Sequence, residues 1–145
     1  MKMENHRKLP VEMMEGLVPG TLLFRETEGQ ERTLVQLDLL SMGRDFVLLV
    51  HGGGVHAGAA ALAAPTHEEL AIIPPHKEGP LARRCARRVA RASGAHCAVV
   101  AGIHQDQVTP EEIAAIIHHV NLALDRLLDR AFPSFNPTEH DGVQS

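Results

Sequence analysis

The sequence predicts an α+β domain: a mainly antiparallel sheet of about five to six strands with two helices packed on one face. Short apolar segments divided by glycine-containing, charged turns occupy the first half of the chain. Two longer segments with helical periodicity and clear end signals occupy the second half, and a further apolar run, Ala98–Ile103, lies between them. Thr21–Thr27, Thr33–Leu40 and Phe46–His51 read as strands, joined through Glu28-Gly29-Gln30-Glu31 and Ser41-Met42-Gly43-Arg44-Asp45, which makes an antiparallel meander. Val55–Ala64 is open between two states: its alanines favour a helix, whereas its short length, Gly58 and the closing Pro65 suit a strand. Leu70–Ile73 is another short strand, cut by Pro74-Pro75.

The first helix runs from about Pro80 to Ser93, with proline early, where its missing N–H costs nothing, and Gly94 as the stop. Leu81, Cys85 and Val89 mark its apolar stripe. Arg83, Arg84, Arg87, Arg88 and Arg91 cover the remainder, either as a solvated face or as a seat for a phosphate or an acidic partner. The second helix opens on a capping-box signature, Thr109, Pro110 and Glu112, and continues through Ile113, Ile116, Ile117, Val120, Leu124, Leu127 and Leu128. His118 and His119 are adjacent and cannot share an i,i+4 face, which points to surface or interface roles.

At 145 residues the chain fits one domain, expected at 21–132 between a flexible amino-terminal segment, 1–20, and a flexible tail, 133–145. Hydrophobic residues make up 44% but aromatics only 3%, so Leu, Val, Ile and Ala must build the core and base-stacking platforms are scarce. A formal net charge of −4 gives no general drive toward nucleic acid, which is not expected as a partner. Cys85 and Cys97 form no CxxC pair and read as buried, reduced thiols. The polar start of the chain is followed by no apolar run, so neither a signal peptide nor a membrane span is expected and the location is read as cytoplasmic.

The strongest functional signal is the strand Phe46–Val50 discharging into His51-Gly52-Gly53-Gly54-Val55-His56-Ala57-Gly58, where bare backbone and imidazoles meet. A P-loop is excluded, because Ala59-Ala60 stand where Lys-Ser/Thr would follow the last glycine. A dinucleotide fingerprint is matched loosely, without the βαβ unit it requires. His51-Gly52-Gly53-Gly54 copies an esterase oxyanion string, but the chain has no GxSxG nucleophile elbow. A plain glycine-rich turn between strands also accounts for the run. Further polar residues gather at segment ends: His56, then His76-Lys77-Glu78 before the first helix, then His104 after the last strand. His56, His76 and His104 are candidate ligands for a divalent metal, although no compact His-x-His or HExxH spacing supports them.

These residues carry a resemblance. Gly52-Gly53 followed by His56 and Gly58, His76-Lys77-Glu78 ahead of a basic helix, and Ala101-Gly102-Ile103-His104 with Gln107-Val108-Thr109 opening the last helix stand in three ordered blocks. Over roughly Leu34 to Leu128 the chain resembles the small D subunit associated with UbiD-type hydroxyarylic acid decarboxylases, the LpdD-like prenylated-flavin chaperone family. It departs from the family in its alanines within 55–64, in the extra Gly54 and in a longer amino-terminal region. The resemblance favours strand for 55–64. It implies a non-catalytic accessory protein that binds prenylated FMN, or FMN, and delivers it to a UbiD-type decarboxylase large subunit, with a flavin prenyltransferase as a second partner.

Carried onto this sequence, the expected cofactor-binding residues are Gly52, Gly53, His56, Gly58, His76, Lys77, Glu78 and His104. In this reading the amides of Gly52–Gly54 and Lys77 receive the phosphate, while the histidines contact the phosphate, the ring edge or an intervening metal. A homodimer through the apolar sheet or the second helix is expected from the prevalence of symmetric dimers. The alternative is a small metal-dependent hydrolase or lyase using His56, His76 and His104 as ligands, with Glu78 as general base.

Overall fold

A computed structural model describes residues 9–133. Its elements are α1 (Val11–Glu15), β1 (Leu22–Glu28), a 3-10 turn at Glu31–Thr33, β2 (Val35–Met42), β3 (Asp45–Gly53), β4 (Ala59–Ala64), β5 (His67–Ile72), α2 (Gly79–Ser93), β6 (Cys97–His104) and α3 (Pro110–Ala131). The six strands form one sheet in the order β1-β2-β3-β6-β4-β5. Every neighbouring pair is antiparallel except β3 and β6, which run parallel from Phe46↔Cys97 to Gly53↔His104. The α+β class, the meander and the mainly antiparallel sheet thus agree with the sequence reading. So do the end signals of both long helices: Gly94 closes α2 in the left-handed conformation, and Thr109 and Glu112 make a complete capping box on α3.

Within the segment assigned to the amino-terminal tail, α1 buries Met14 completely, and Leu9 and Leu17 pack against the core. Residues 1–8 of that segment and residues 134–145 of the expected tail lie outside the described residues. No described helix is long and apolar enough to cross a membrane.

Both long helices cover the same face of the sheet, α2 over β4, β5 and β6 and α3 over β1 and β2. The period-2 alternation of each strand sends Val35, Leu37, Leu39, Phe46, Leu48, Val50, Cys97, Val99 and Ala101 to that face, where all are buried. The alanine-rich 59–64 resolves as a strand for a packing reason. Ala59, Ala61 and Ala63 lie buried beneath α2, whose own buried residues are mostly small: Gly79, Ala82, Cys85, Ala86 and Ala90. Small residues on both sides allow helix and sheet to approach closely. Residues 55–58, which the sequence reading joined to this strand, form a loop instead. Cys85 and Cys97 are both buried free thiols, and burial pushes the Cys85 thiol up to about 12 and raises Cys97 as well.

The opposite face is uncovered by any described element and presents Leu40, Val47, Leu49, Ala98, Val100 and Leu62 along its middle strands. At one corner Arg25, Gln36 and His51 surround the buried Asp38, with Arg25 Nε donating to Oδ1 at 2.6 Å. Burial raises the Asp38 carboxyl, but the hydrogen bonds from Arg25, His51 and Gln36 outweigh it, and its pKa is lowered.

Arg32, in the 3-10 turn, ties the β1–β2 connection to the start of α3: Nε donates to Glu112 Oε2 at 2.7 Å and Nη2 to the Asp106 carbonyl at 2.7 Å. Hydrogen bonds from Arg32, then from the Thr109 N–H, draw the Glu112 carboxyl from 4.5 down to about 2. A depressed carboxylate stabilises the fold above its unfolded pKa, and that contribution disappears as pH falls through the folded value. Thermal melts followed by circular dichroism are therefore expected to lose stability between pH 4.5 and about 2. Arg32→Ala should lower Tm at neutral pH and shrink the acid-dependent drop; an unchanged drop would remove Glu112 from the account.

Candidate functional site

The parallel β3–β6 pair brings two carboxyl-terminal strand ends to one edge of the sheet, with Gly53 opposite His104. Such ends are where α/β sheets seat ligands. The chain leaves β3 at Gly53, and the 54–58 loop folds back across β6, with Gly54 N–H donating to the His104 carbonyl at 2.8 Å and Gly58 N–H to the Ala101 carbonyl at 2.9 Å. This crossing is what the local glycines permit. A Cβ on Gly102 would stand 1.7 Å from the His56 carbonyl oxygen, and one on Gly53, whose φ is +59°, would stand 2.1 Å from that of His104.

The crossing holds His56 over the segment that leads into α2. Its Nε2 lies 3.1 Å from His76 Nδ1 and 3.3 Å from Glu78 Oε2, while its Nδ1 meets the Gly54 carbonyl at 2.9 Å. Glu78 occupies the N-cap position of α2 yet does not cap it; Oε2 instead accepts from the Ile103 N–H of β6 at 3.0 Å. Glu78 Oε1 is buried and has no hydrogen-bond partner. Gly58 lies against this group, where a Cβ would come 2.9 Å from Glu78 Oε1 and 3.0 Å from both His56 Nε2 and His76 Cγ.

Beside the cluster, a cavity of about 580 Å³ opens between the start of α2, the end of β6 and the first two turns of α3. Leu81, Ile103, Val108, Ile113, Ile116 and Ile117 give it apolar walls, and His76, Lys77, Glu78, Arg84, His104 and Gln105 supply polar groups. An apolar cleft with a few convergent polar groups, in this size range, is the usual form of a cofactor site. Of the five α2 arginines, Arg83 and Arg87 pair with Glu68, Arg88 pairs with Asp125, and Arg91 reaches the Pro65 carbonyl. Arg84 is the one that lines the cavity, with a long 3.4 Å contact to Asn121.

The structure therefore brings together His56, Gly58, His76 and Glu78, and places Lys77, Glu78, His76 and His104 on the cavity wall. His104 stands apart from the imidazole cluster: its ring is 6.2 Å from that of His56, and its Nε2 is 3.0 Å from Asp106 Oδ1. Gly52, Gly53 and Gly54 do not line the cavity, and the Gly54 amide is committed to the backbone. His51 points to the open face, toward Asp38. His119 is half-buried against the Thr33 carbonyl, whereas His118 is exposed. The isoleucines of α3 line the cavity and are absent from the motif reasoning, which gives Arg84 only as one of five arginines on a cationic face. The available signal was the width of the α3 stripe, since Ile113 and Ile117 lie one turn apart and remain 44% and 40% exposed.

Comparison with known proteins agrees with the resemblance read from the three blocks. A curated relative, Protein LpdD of Lactiplantibacillus plantarum, is 34% identical over 88 residues, which cover 56% of this chain and 65% of that protein's length. A chain from the crystal structure of a novel chaperone complex for yeast 20S proteasome assembly aligns over 72% of this chain and 96% of its own. Its TM-score is 0.45 and its identity 12%, a likeness too slight to carry an argument. Residues 29–131, well over half the chain and including every strand but β1, match the profile of the prenylated flavin chaperone LpdD-like domain, and the chain belongs to that family.

Proposed function

We propose that this protein is a non-catalytic carrier that holds prenylated FMN in the cavity between α2, β6 and α3 and passes it to a UbiD-type decarboxylase. The observation that carries the reading is the cavity itself: about 580 Å³, with apolar walls of isoleucine, leucine and valine and two cations, Lys77 and Arg84, at its polar side. A flavin ring is flat and largely apolar and ends, through its ribityl chain, in a phosphate. The walls suit the ring and the prenyl-derived carbons; Lys77 and Arg84 suit the phosphate. Both cations are exposed, so the phosphate end stays accessible and release remains possible. The flavin prenyltransferase is the proposed donor and the decarboxylase large subunit the acceptor.

The uncovered sheet face supports a homodimer formed with a second copy. Its charged corner is satisfied within the chain by Arg25, Gln36 and His51 around Asp38, which leaves the Leu40, Val47, Leu49, Val100 and Leu62 strip as the contact. A cytoplasmic location goes with this reading, because free thiols at Cys85 and Cys97 suit a reducing compartment.

Sedimentation velocity of the purified chain with FMN or prenylated FMN, followed at flavin wavelengths, tests the proposal. Flavin is expected to move with the protein, at twice the chain mass, and to leave it when apo-decarboxylase is added. Flavin that sediments as free small molecule, with either form at micromolar protein, removes the carrier reading; a single-chain mass removes the dimer.

A further inference from the structure

We propose that His56, His76 and Glu78 bind one divalent first-row metal ion, zinc by ligand type, and leave a coordination position open. One ligand atom from each residue lies within 4.8 Å of the others. Two imidazoles and a carboxylate are a known three-ligand zinc set, in which the fourth position takes water or an anionic group of the bound molecule. The proposal stands apart from the flavin reading, because the metal alone tests it.

The hydrogen-bonding pattern argues for a cation. The Gly54 carbonyl can only accept, so the 2.9 Å contact requires His56 Nδ1 to carry a proton. In the neutral ring Nε2 then turns its lone pair toward His76 and Glu78. A lone pair 3.3 Å from a carboxylate oxygen is repulsive unless a proton or a metal ion lies between them. Glu78 adds a second unmet demand. Its Oε2 accepts from the Ile103 N–H, but its buried Oε1 has no partner, which is destabilising for a carboxylate oxygen. A metal ion held by Nε2 and the Glu78 carboxylate meets the first demand, and it meets the second when the carboxylate binds through both oxygens.

Geometry and supporting contacts agree. Ligands about 2.1 Å from a tetrahedral zinc lie about 3.4 Å from one another. The Nε2–Nδ1 and Nε2–Oε2 separations here are 3.1 and 3.3 Å. The Nδ1–H to carbonyl contact of His56 is the outer contact that commonly orients a metal-bound imidazole. Gly58 leaves the group unobstructed, since a Cβ there would come within 3.0 Å of atoms of all three residues. His76 and Glu78 also line the cavity, so a metal would sit at its wall.

The test uses the full chain, stripped with a chelator and titrated with zinc against a chromophoric competitor, and separately with cobalt. The parent is expected to take one tight equivalent and, with cobalt, to show the visible absorption of a four-coordinate nitrogen–oxygen site. His56→Ala and Glu78→Gln should each weaken that equivalent by about tenfold or more. Glu78→Gln keeps an acceptor for the Ile103 N–H, and a metal-free melt close to the parent's shows that the variant is folded. His67→Ala, in an exposed pair with Glu69, should bind as the parent does. The proposal is overturned if the stripped parent takes up no stoichiometric zinc, or if Glu78→Gln and His56→Ala bind as tightly as the parent.

Discussion

Gly102→Ala is expected to destabilise the fold by about 1–3 kcal/mol and to dismantle the His56–His76–Glu78 cluster in the same step. The added methyl would lie 1.7 Å from the His56 carbonyl oxygen and 2.5 Å from its carbonyl carbon. Both are backbone atoms, so no rotamer change relieves the contact. Either β6 shifts against β3 and β4, which would disturb a central strand whose helix-facing residues are all buried, or the 54–58 loop lifts away. Lifting breaks the Gly58 N–H bond to the Ala101 carbonyl and carries the His56 imidazole out of reach of His76 and Glu78. Gly16→Ala is the control, because the nearest atoms to its Cβ would be at 3.6 and 3.8 Å, ordinary contact distances. Urea denaturation of the two variants, with zinc uptake measured alongside, checks the expectation. A Gly102→Ala protein within about 0.5 kcal/mol of the parent, with its metal site intact, would show that the crossing is looser than described.

Part of that crossing is legible in the sequence and part is not. The glycines between 52 and 58 were visible, and so was their nearness to histidines. Their role was not. Bare backbone serves equally to cradle a phosphate or to let one chain segment cross another, and only the pairing of β3 with β6 decides between them. Parallel pairing leaves no local mark: β6 reads as a buried apolar run whether it lies at an edge or, as it does, between β3 and β4. Capping signals are local by nature, which is why Thr109, Glu112 and Gly94 delimited the helices correctly. The metal candidates divide on the same ground. His76 and Glu78 are two residues apart and stay together; His104 shares an edge of the sheet with His56, but its ring turns to Asp106. The α2 arginines looked like one cationic face, yet Glu68 and Asp125, distant in sequence, absorb three of them. Arg84 is singled out by position rather than by type.

Ile117→Asp is expected to lower the affinity for prenylated FMN by about tenfold or more while leaving the unliganded chain folded. Ile117 lines the cavity and is 40% exposed in the free protein, so a polar replacement forfeits only part of its packing and should cost about 1–2 kcal/mol, with the chain still folded. With the cavity filled, the same side chain is covered. Losing the contact of that remaining exposed part gives up about 0.6–1.2 kcal/mol, and a carboxylate in its place must in addition be desolvated against the ring. Arg84→Ala separates the two ends of the ligand. It removes a cation from the cavity wall, so FMN should bind more weakly and with a reduced dependence on salt, whereas riboflavin, which has no phosphate, should bind as it does to the parent. Ile117→Asp, by contrast, should weaken FMN and riboflavin alike, since the ring is common to both. Fluorescence titration of the two flavins against the parent and the two variants reads the full pattern. If Ile117→Asp binds FMN with the parent's affinity, the flavin does not occupy the cavity between α2 and α3; if Arg84→Ala weakens riboflavin as much as FMN, Arg84 supports the cavity wall and does not hold the phosphate.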